Sequence, residues 1–155
     1  MIRFSTDDLP PDDRFDQWRE VRGRSLFGVT IELARERRGS FTGLFQARAL
    51  GNAVVSEMRA SAYRVSRTPA DIARIAGDSL CLSHQIKGPG ALDTGAGRVQ
   101  AVREGDMAIS YSDLPYAGTP YGENDFHYRM IKIPVDHELM LGKPVHDLFA
   151  TRYLA

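Results

Sequence analysis

Four histidines, His84, His127, His137 and His146, are the imidazoles from which a metal centre would have to be built. A strand-borne transition-metal site needs two imidazoles two residues apart, plus a distant carboxylate and another imidazole, so that all four meet one ion. His84 is followed by Gln85 and Ile86, so the pair is missing. The other three are scattered, and only His127 falls on an expected strand. His84 and His127 could meet on facing strands, yet they would still lack a third ligand. Neither a metal nor any other cofactor is expected. Nucleophile chemistry fares no better, because no serine sits between elbow glycines and no glycine-rich loop precedes a helix to cradle phosphate. Gly88-Pro89-Gly90 and Gly95-Ala96-Gly97 read as hairpin turns. These residues describe a chain that binds rather than one that catalyses.

Several side chains suit a binding role. His84 shares a strand face with Leu80, Leu82 and Ile86, opposite Cys81, Ser83 and Gln85. It is either a core histidine with one satisfied hydrogen bond or a polar contact in an apolar pocket. Tyr63, Tyr111, Tyr116 and Tyr128 sit on strands or at strand ends, each offering a flat apolar body and one hydroxyl. Met58, Met107 and Met130 add adaptable lining. The candidate ligand contacts are therefore Met58, Tyr63, His84, Met107, Tyr111, Tyr116 and Tyr128. Arg64 and Arg67 flank Val65. Either could clamp a carboxylate from a barrel wall, but an exposed edge arginine paired with a surface acid is the preferred reading. Trp18 is expected to be a packing anchor.

The elements that must position these residues are mostly strands. Leu9-Pro10-Pro11 leads into a helix over about 11–24, with Asp12 and Asp13 in its first turn, where the helix dipole favours negative charge. Phe15, Trp18 and Val21 recur at helical spacing on its apolar face. The arginines from Arg14 to Arg38 are interspersed with Asp16, Glu20, Glu32 and Glu36 and read as a solvated face. Strand patterns then follow at Val29–Leu33, Leu44–Leu50, Val54–Ala60 and Ala62–Ser66. A capped turn near Thr68 or Asp71 separates them from a second strand group, Leu80–Ile86, Leu92, Arg98–Val102, Met107–Tyr111 and Phe126–Ile133. Arg103-Glu104-Gly105-Asp106 supplies a tight turn before Met107, and Leu114-Pro115 ends the strand that follows. Many short strands with glycine and proline turns describe a jelly-roll-like β-barrel over about 28–134, mainly β with flanking helices. A C-terminal helical segment is predicted over about 136–155. It comprises a short helix at Asp136–Leu141 and an amphipathic one carrying Val145, Leu148, Phe149 and Tyr153, with no stop signal before Ala155.

Length and composition fit one domain over 1–155, with 43% hydrophobic and 26% charged residues. Twenty basic and twenty acidic side chains cancel, which argues against direct grip on nucleic acid by this chain. No apolar run approaches the ~20 residues of a membrane span, and the acidic N-terminus lacks a signal core, so a cytoplasmic location is expected. The lone cysteine, Cys81, lies between two leucines and reads as a buried structural thiol.

Ser5-Thr6-Asp7-Asp8-Leu9-Pro10-Pro11, Arg14-Phe15-Asp16-Gln17-Trp18-Arg19-Glu20, Arg67-Thr68-Pro69 and Gly105-Asp106 to Pro115-Tyr116 together resemble the N-terminal regulatory domain of AraC/XylS-type transcriptional regulators, in its cupin-like, AraC-binding-like form. The resemblance runs from Phe4 to about Pro134. It implies a cupin-like barrel that binds a small-molecule effector and forms a homodimer through helices after the barrel. Val145, Leu148 and Phe149 are the expected dimerisation face, with capping of the barrel as a competing role. In such regulators DNA is bound by a C-terminal module of two helix-turn-helix motifs. That module needs about 100 further residues, so this chain is expected to be a fragment that meets DNA only through it. Two alternatives stay open: a stand-alone cupin-type enzyme (an isomerase or metal-dependent oxygenase), and a barrel that serves only as a dimerisation scaffold.

Overall fold

Among the described residues, twelve strands divide into two antiparallel sheets. The structure is a computed structural model; it describes residues 1–95 and 97–136, together with the backbone of 151–153. The larger sheet has the order β1(Ile2–Ser5), β3(Gly43–Leu50), β4(Ala53–Ala60), β11(Phe126–Pro134), β6(Ser79–Lys87), β9(Met107–Tyr111), β12(Thr151–Tyr153). The smaller has β2(Thr30–Glu32), β5(Arg64–Arg67), β10(Tyr116–Pro120), β7(Gly90–Asp93), β8(Val99–Val102). The expected mainly β jelly-roll architecture is therefore present.

Three departures from the sequence reading have physical causes. The N-terminus is a strand, not merely an entry to a helix. Ile2 to Ser5 pair antiparallel with Ala47 to Leu44, and Thr6 Oγ1 accepts from the Gly43 N–H at 2.8 Å. The helix is α1(Pro11–Trp18), continued by a π-helical segment Arg19–Phe27, so it ends three residues beyond the expected 24. Gly28 stops it with φ 60°, a left-handed conformation that glycine adopts without a Cβ penalty. Finally, 151–153 run as a strand on β9, with Thr151 opposite Ile109, so the helix predicted through Tyr153 is corrected there. The remaining residues of that prediction, including Val145, Leu148 and Phe149, lie outside the described residues.

Trp18 is the packing anchor the pattern indicated. It is fully buried, stacks on Phe4 at 5.9 Å and tilts against Phe41 at 5.7 Å. Gly43 makes room for it, since a Cβ there would lie 2.6 Å from the indole ring. Phe15, Phe41, Phe45, Met58 and Tyr63 complete this aromatic core. From β6 onward, among the described residues, Cys81 alone of the apolar side chains counts as buried, at 9% exposure. There the facing strands line a space instead of filling one. Among the described residues no helix is long and apolar enough to cross a membrane.

Candidate ligand-binding site

A cavity of about 360 Å³ lies between the sheets. Strand alternation decides what faces it. From the larger sheet, β4 contributes Met58, β11 Tyr128 and Met130, and β6 Cys81, Ser83 and Gln85. From the smaller sheet come Val65 and Arg67 of β5, Tyr116 and Gly118 of β10, and Leu92 of β7. Arg22 and Phe27 of the π-helical segment, with Tyr63 and Phe126, supply further wall. The lining is mostly apolar and aromatic, with few polar groups, as small-molecule sites generally are.

Of the seven ligand contacts expected from sequence, Met58, Tyr63, Tyr111, Tyr116 and Tyr128 line this cavity. Met130 does so as well. His84 and Met107 are not among its lining residues. They face each other across β6 and β9 on the opposite side of the larger sheet, where His84 also lies opposite Arg129 of β11. The apolar set Leu80, Leu82 and Ile86 gave the impression of an inward face. The side facing the cavity is Cys81, Ser83 and Gln85, because a pocket wall tolerates polar side chains that a solid core would exclude.

His127 does not meet His84 inside the barrel either. Its Nε2 sits 2.7 Å from Glu57, which also accepts from Arg59 at 2.9 Å and pairs with Arg129 at 3.4 Å. Burial would raise the Glu57 carboxyl, but hydrogen bonds from Arg59 and His127 hold it below the usual range. His137 and His146 lie outside the described residues. Among the described residues, no three metal-capable side chains converge, and the cavity wall carries no histidine or glutamate.

The phenols differ in how free they are. Tyr111 donates to Asp78 at 2.7 Å, and that bond, with burial, pushes it up to about 12. Burial likewise pushes Tyr63 and Tyr116 up to about 12, so both remain neutral hydroxyl donors. Tyr63 donates in a long contact to the Met58 sulfur, 3.6 Å. Burial also raises the Cys81 thiol, which keeps it protonated and unreactive at neutral pH.

Two arginines of β5 behave in opposite ways, and the expectation of an exposed edge arginine holds for Arg64 but not for Arg67. Arg64 is the exposed edge residue expected, 4.0 Å from Glu32. Arg67 is buried and fully committed to the protein. Its Nε donates to the Ser112 carbonyl at 2.7 Å; Nη1 donates to the carbonyls of Phe27 and Gly28; Nη2 donates to the Ile75 carbonyl and to Asp113 at 2.9 Å. Every donor of the guanidinium is used. Asp113 in turn accepts from the backbone N–H groups of Gly77 and Asp78, both at 2.8 Å. Burial alone would raise its carboxyl, but those N–H groups and Arg67 hold it low. Arg67-Thr68-Pro69 and the Ser112-Asp113 corner, 45 residues apart, thus form one joint.

Arg22 was read as part of a solvated arginine-rich stretch, and that is corrected too. It is 4% exposed. Nη2 donates to the Tyr128 hydroxyl at 2.7 Å, and the guanidinium lies 4.5 Å from the centre of the Phe27 ring. Nε and Nη1 are buried with no hydrogen-bond partner among the described residues. A signal was available, since Arg22 follows Phe15 by seven residues and Trp18 by four, on the same helical stripe.

No sequence-family profile matches the chain, and no curated protein matches it. Among solved structures, the AraC-like transcriptional activator CuxR aligns with a TM-score of 0.72 at 21% identity, over 89% of this chain and 48% of that one. The chain shares its fold with an AraC-like activator. It spans about half of that protein's length. A cupin-like protein from Thermotoga maritima (10% identity, 61% of this chain, 72% of that one) and the cupin domain of an XRE family transcriptional regulator from Enterobacter cloacae (9%, 61% and 98%) align at TM-scores of 0.47 each, too low to carry weight.

Proposed function

We propose that this chain is the ligand-sensing barrel of an AraC-type transcriptional regulator, holding a small effector between its two sheets and controlling a DNA-binding module outside these 155 residues. The observation that carries the reading is the cavity of about 360 Å³, mostly apolar, with four tyrosines and the Arg22 head group in its wall. A space of that size and chemistry fits a small, partly apolar molecule with a few polar atoms. The shared fold with an activator twice as long supports a regulatory setting.

Control requires that the effector bind one arrangement of the molecule better than another. The wall provides a means. Arg22 belongs to the helical arm and Tyr128 to the larger sheet, while Arg67 ties that arm's end to the β9–β10 corner. A ligand touching Arg22 and Tyr128 would bias how the arm sits on the barrel. Homodimerisation through Val145, Leu148 and Phe149 belongs to the same proposal, and sedimentation of a Leu148→Asp variant tests it: a shift from dimer to monomer is expected.

The reading is tested by a thermal-melt screen of the 155-residue chain against sugars, aromatic acids and fatty acids, since binding to the folded state raises stability. A saturable rise for one class is expected, and it should disappear in a Tyr128→Phe, Met58→Trp double variant that fills the cavity. Silence across all classes would leave a bare scaffold. An open reading frame running past Ala155 into two helix-turn-helix units is the expected genetic context.

A further inference from the structure

Arg22 presents a problem of charge that the rest of the chain does not solve. A guanidinium stays protonated at any physiological pH, so burial cannot neutralise it. Buried charges are ordinarily paired. Here the described residues offer one phenol at 2.7 Å and the face of Phe27, but no carboxylate. Two nitrogens, Nε and Nη1, are left without a partner, and the side chain forms part of the cavity wall. The phenols of Tyr63 and Tyr116 line the same cavity and stay neutral, so they add donors without competing negative charge.

From this geometry we propose that the cavity takes an organic carboxylate, with its head group on Arg22 and the neighbouring phenols and its apolar body against Phe27, Phe126 and Leu92. The inference rests on the sensor reading and sharpens it to one ligand class. A carboxylate matches the planar donor edge of a guanidinium, and the charge-assisted bonds it forms are the strong ones. Arg98, Asp106 and Lys132 also border the cavity, but most of its wall is apolar and asks for a hydrocarbon body, which sets such a ligand apart from inorganic anions. Arg67 cannot serve in its place, because its donors are all taken.

The test is a set of thermal melts of the 155-residue chain with benzoate, cyclohexanecarboxylate and octanoate, each beside its neutral amide, with inorganic phosphate, chloride, glucose and arabinose at matched ionic strength. At least one carboxylate should raise the melting temperature saturably, and its amide should bind about tenfold more weakly or worse. Arg22→Gln should remove the carboxylate shift, and Arg22→Lys should keep part of it, since charge survives while the planar fork is lost. Should Arg22→Gln fail to fold, the carboxylate–amide comparison on the parent and the Lys variant carry the test. Equal binding of the amides, an undiminished response in Arg22→Gln, or phosphate and chloride acting as well as the organic acids would each overturn the proposal. A shift with the sugars or amides but no carboxylate would overturn it and leave the sensor reading standing. No shift with any compound would sink both.

Discussion

Arg22 and Arg67 are both nearly inaccessible and both border the same cavity, yet one is finished and the other is not. Arg67 spends all its donors on four carbonyls and Asp113, gathering the end of the helical arm, the end of α2(Pro69–Arg74) and the β9–β10 corner into one joint. Arg22 spends one bond on Tyr128 and rests against an aromatic ring. The contrast separates two states of a buried cation: Arg67 has every donor paired inside the chain and builds the wall, while Arg22 keeps donors that the described residues do not pair. Residue type and burial alone do not distinguish them; the hydrogen-bond inventory does.

Removing each arginine should therefore have opposite consequences. Arg67→Met strands Asp113 and leaves buried carbonyls unpaired, and should cost about 3–5 kcal/mol in urea unfolding. Gly43→Ala drives a methyl into the Trp18 ring, at 2.6 Å, and should cost about 1–3 kcal/mol by overpacking the aromatic core. Asp113→Asn, which keeps the shape but not the charge, should cost about 1–3 kcal/mol at pH 7. The Asp113 carboxyl ionises below its ordinary value near 3.8 in the folded chain, so its contribution is present at neutral pH and fades as pH falls below about 4. The parent should therefore lose stability on acidification, and the Asn variant should lose less; parallel curves would dismiss Asp113 as the joint's charge. Arg22→Met should change least, staying within about 1 kcal/mol of the parent or above it, because it deletes an unpaired buried charge. A large loss in that variant would show that Arg22 is structural after all.

How much of this was readable beforehand follows the same division. Met107–Tyr111 was bounded correctly by its Gly-Asp turn and proline corner, and Leu44–Leu50 and Phe126–Ile133 were found within a residue, because alternation and turn residues are local signals. β1 and β10 were missed: four residues at a terminus and five containing a glycine and a proline carry little pattern of their own and owe their pairing to β3, β5 and β7. Five of the seven candidate contacts reached the cavity because tyrosine and methionine favour its mixed surface. His84 and Met107 lie outside the cavity lining, because period two says which residues share a face, never which face is inside. Arg67 and Arg22 failed for a deeper reason. Arginine is rarely buried, so composition assigns it to water, and only the assembled carbonyls of Phe27, Gly28, Ile75 and Ser112 reveal why Arg67 is not there.

Arginine Nε–H resonances in a nitrogen-edited NMR titration with benzoate, assigned through Arg22→Lys and Arg67→Lys, would observe both head groups at once. The Arg22 signal should move progressively and saturate while the Arg67 signal stays fixed. Movement of Arg67 alone, or of neither while another site on the chain saturates, would contradict the division of labour between them.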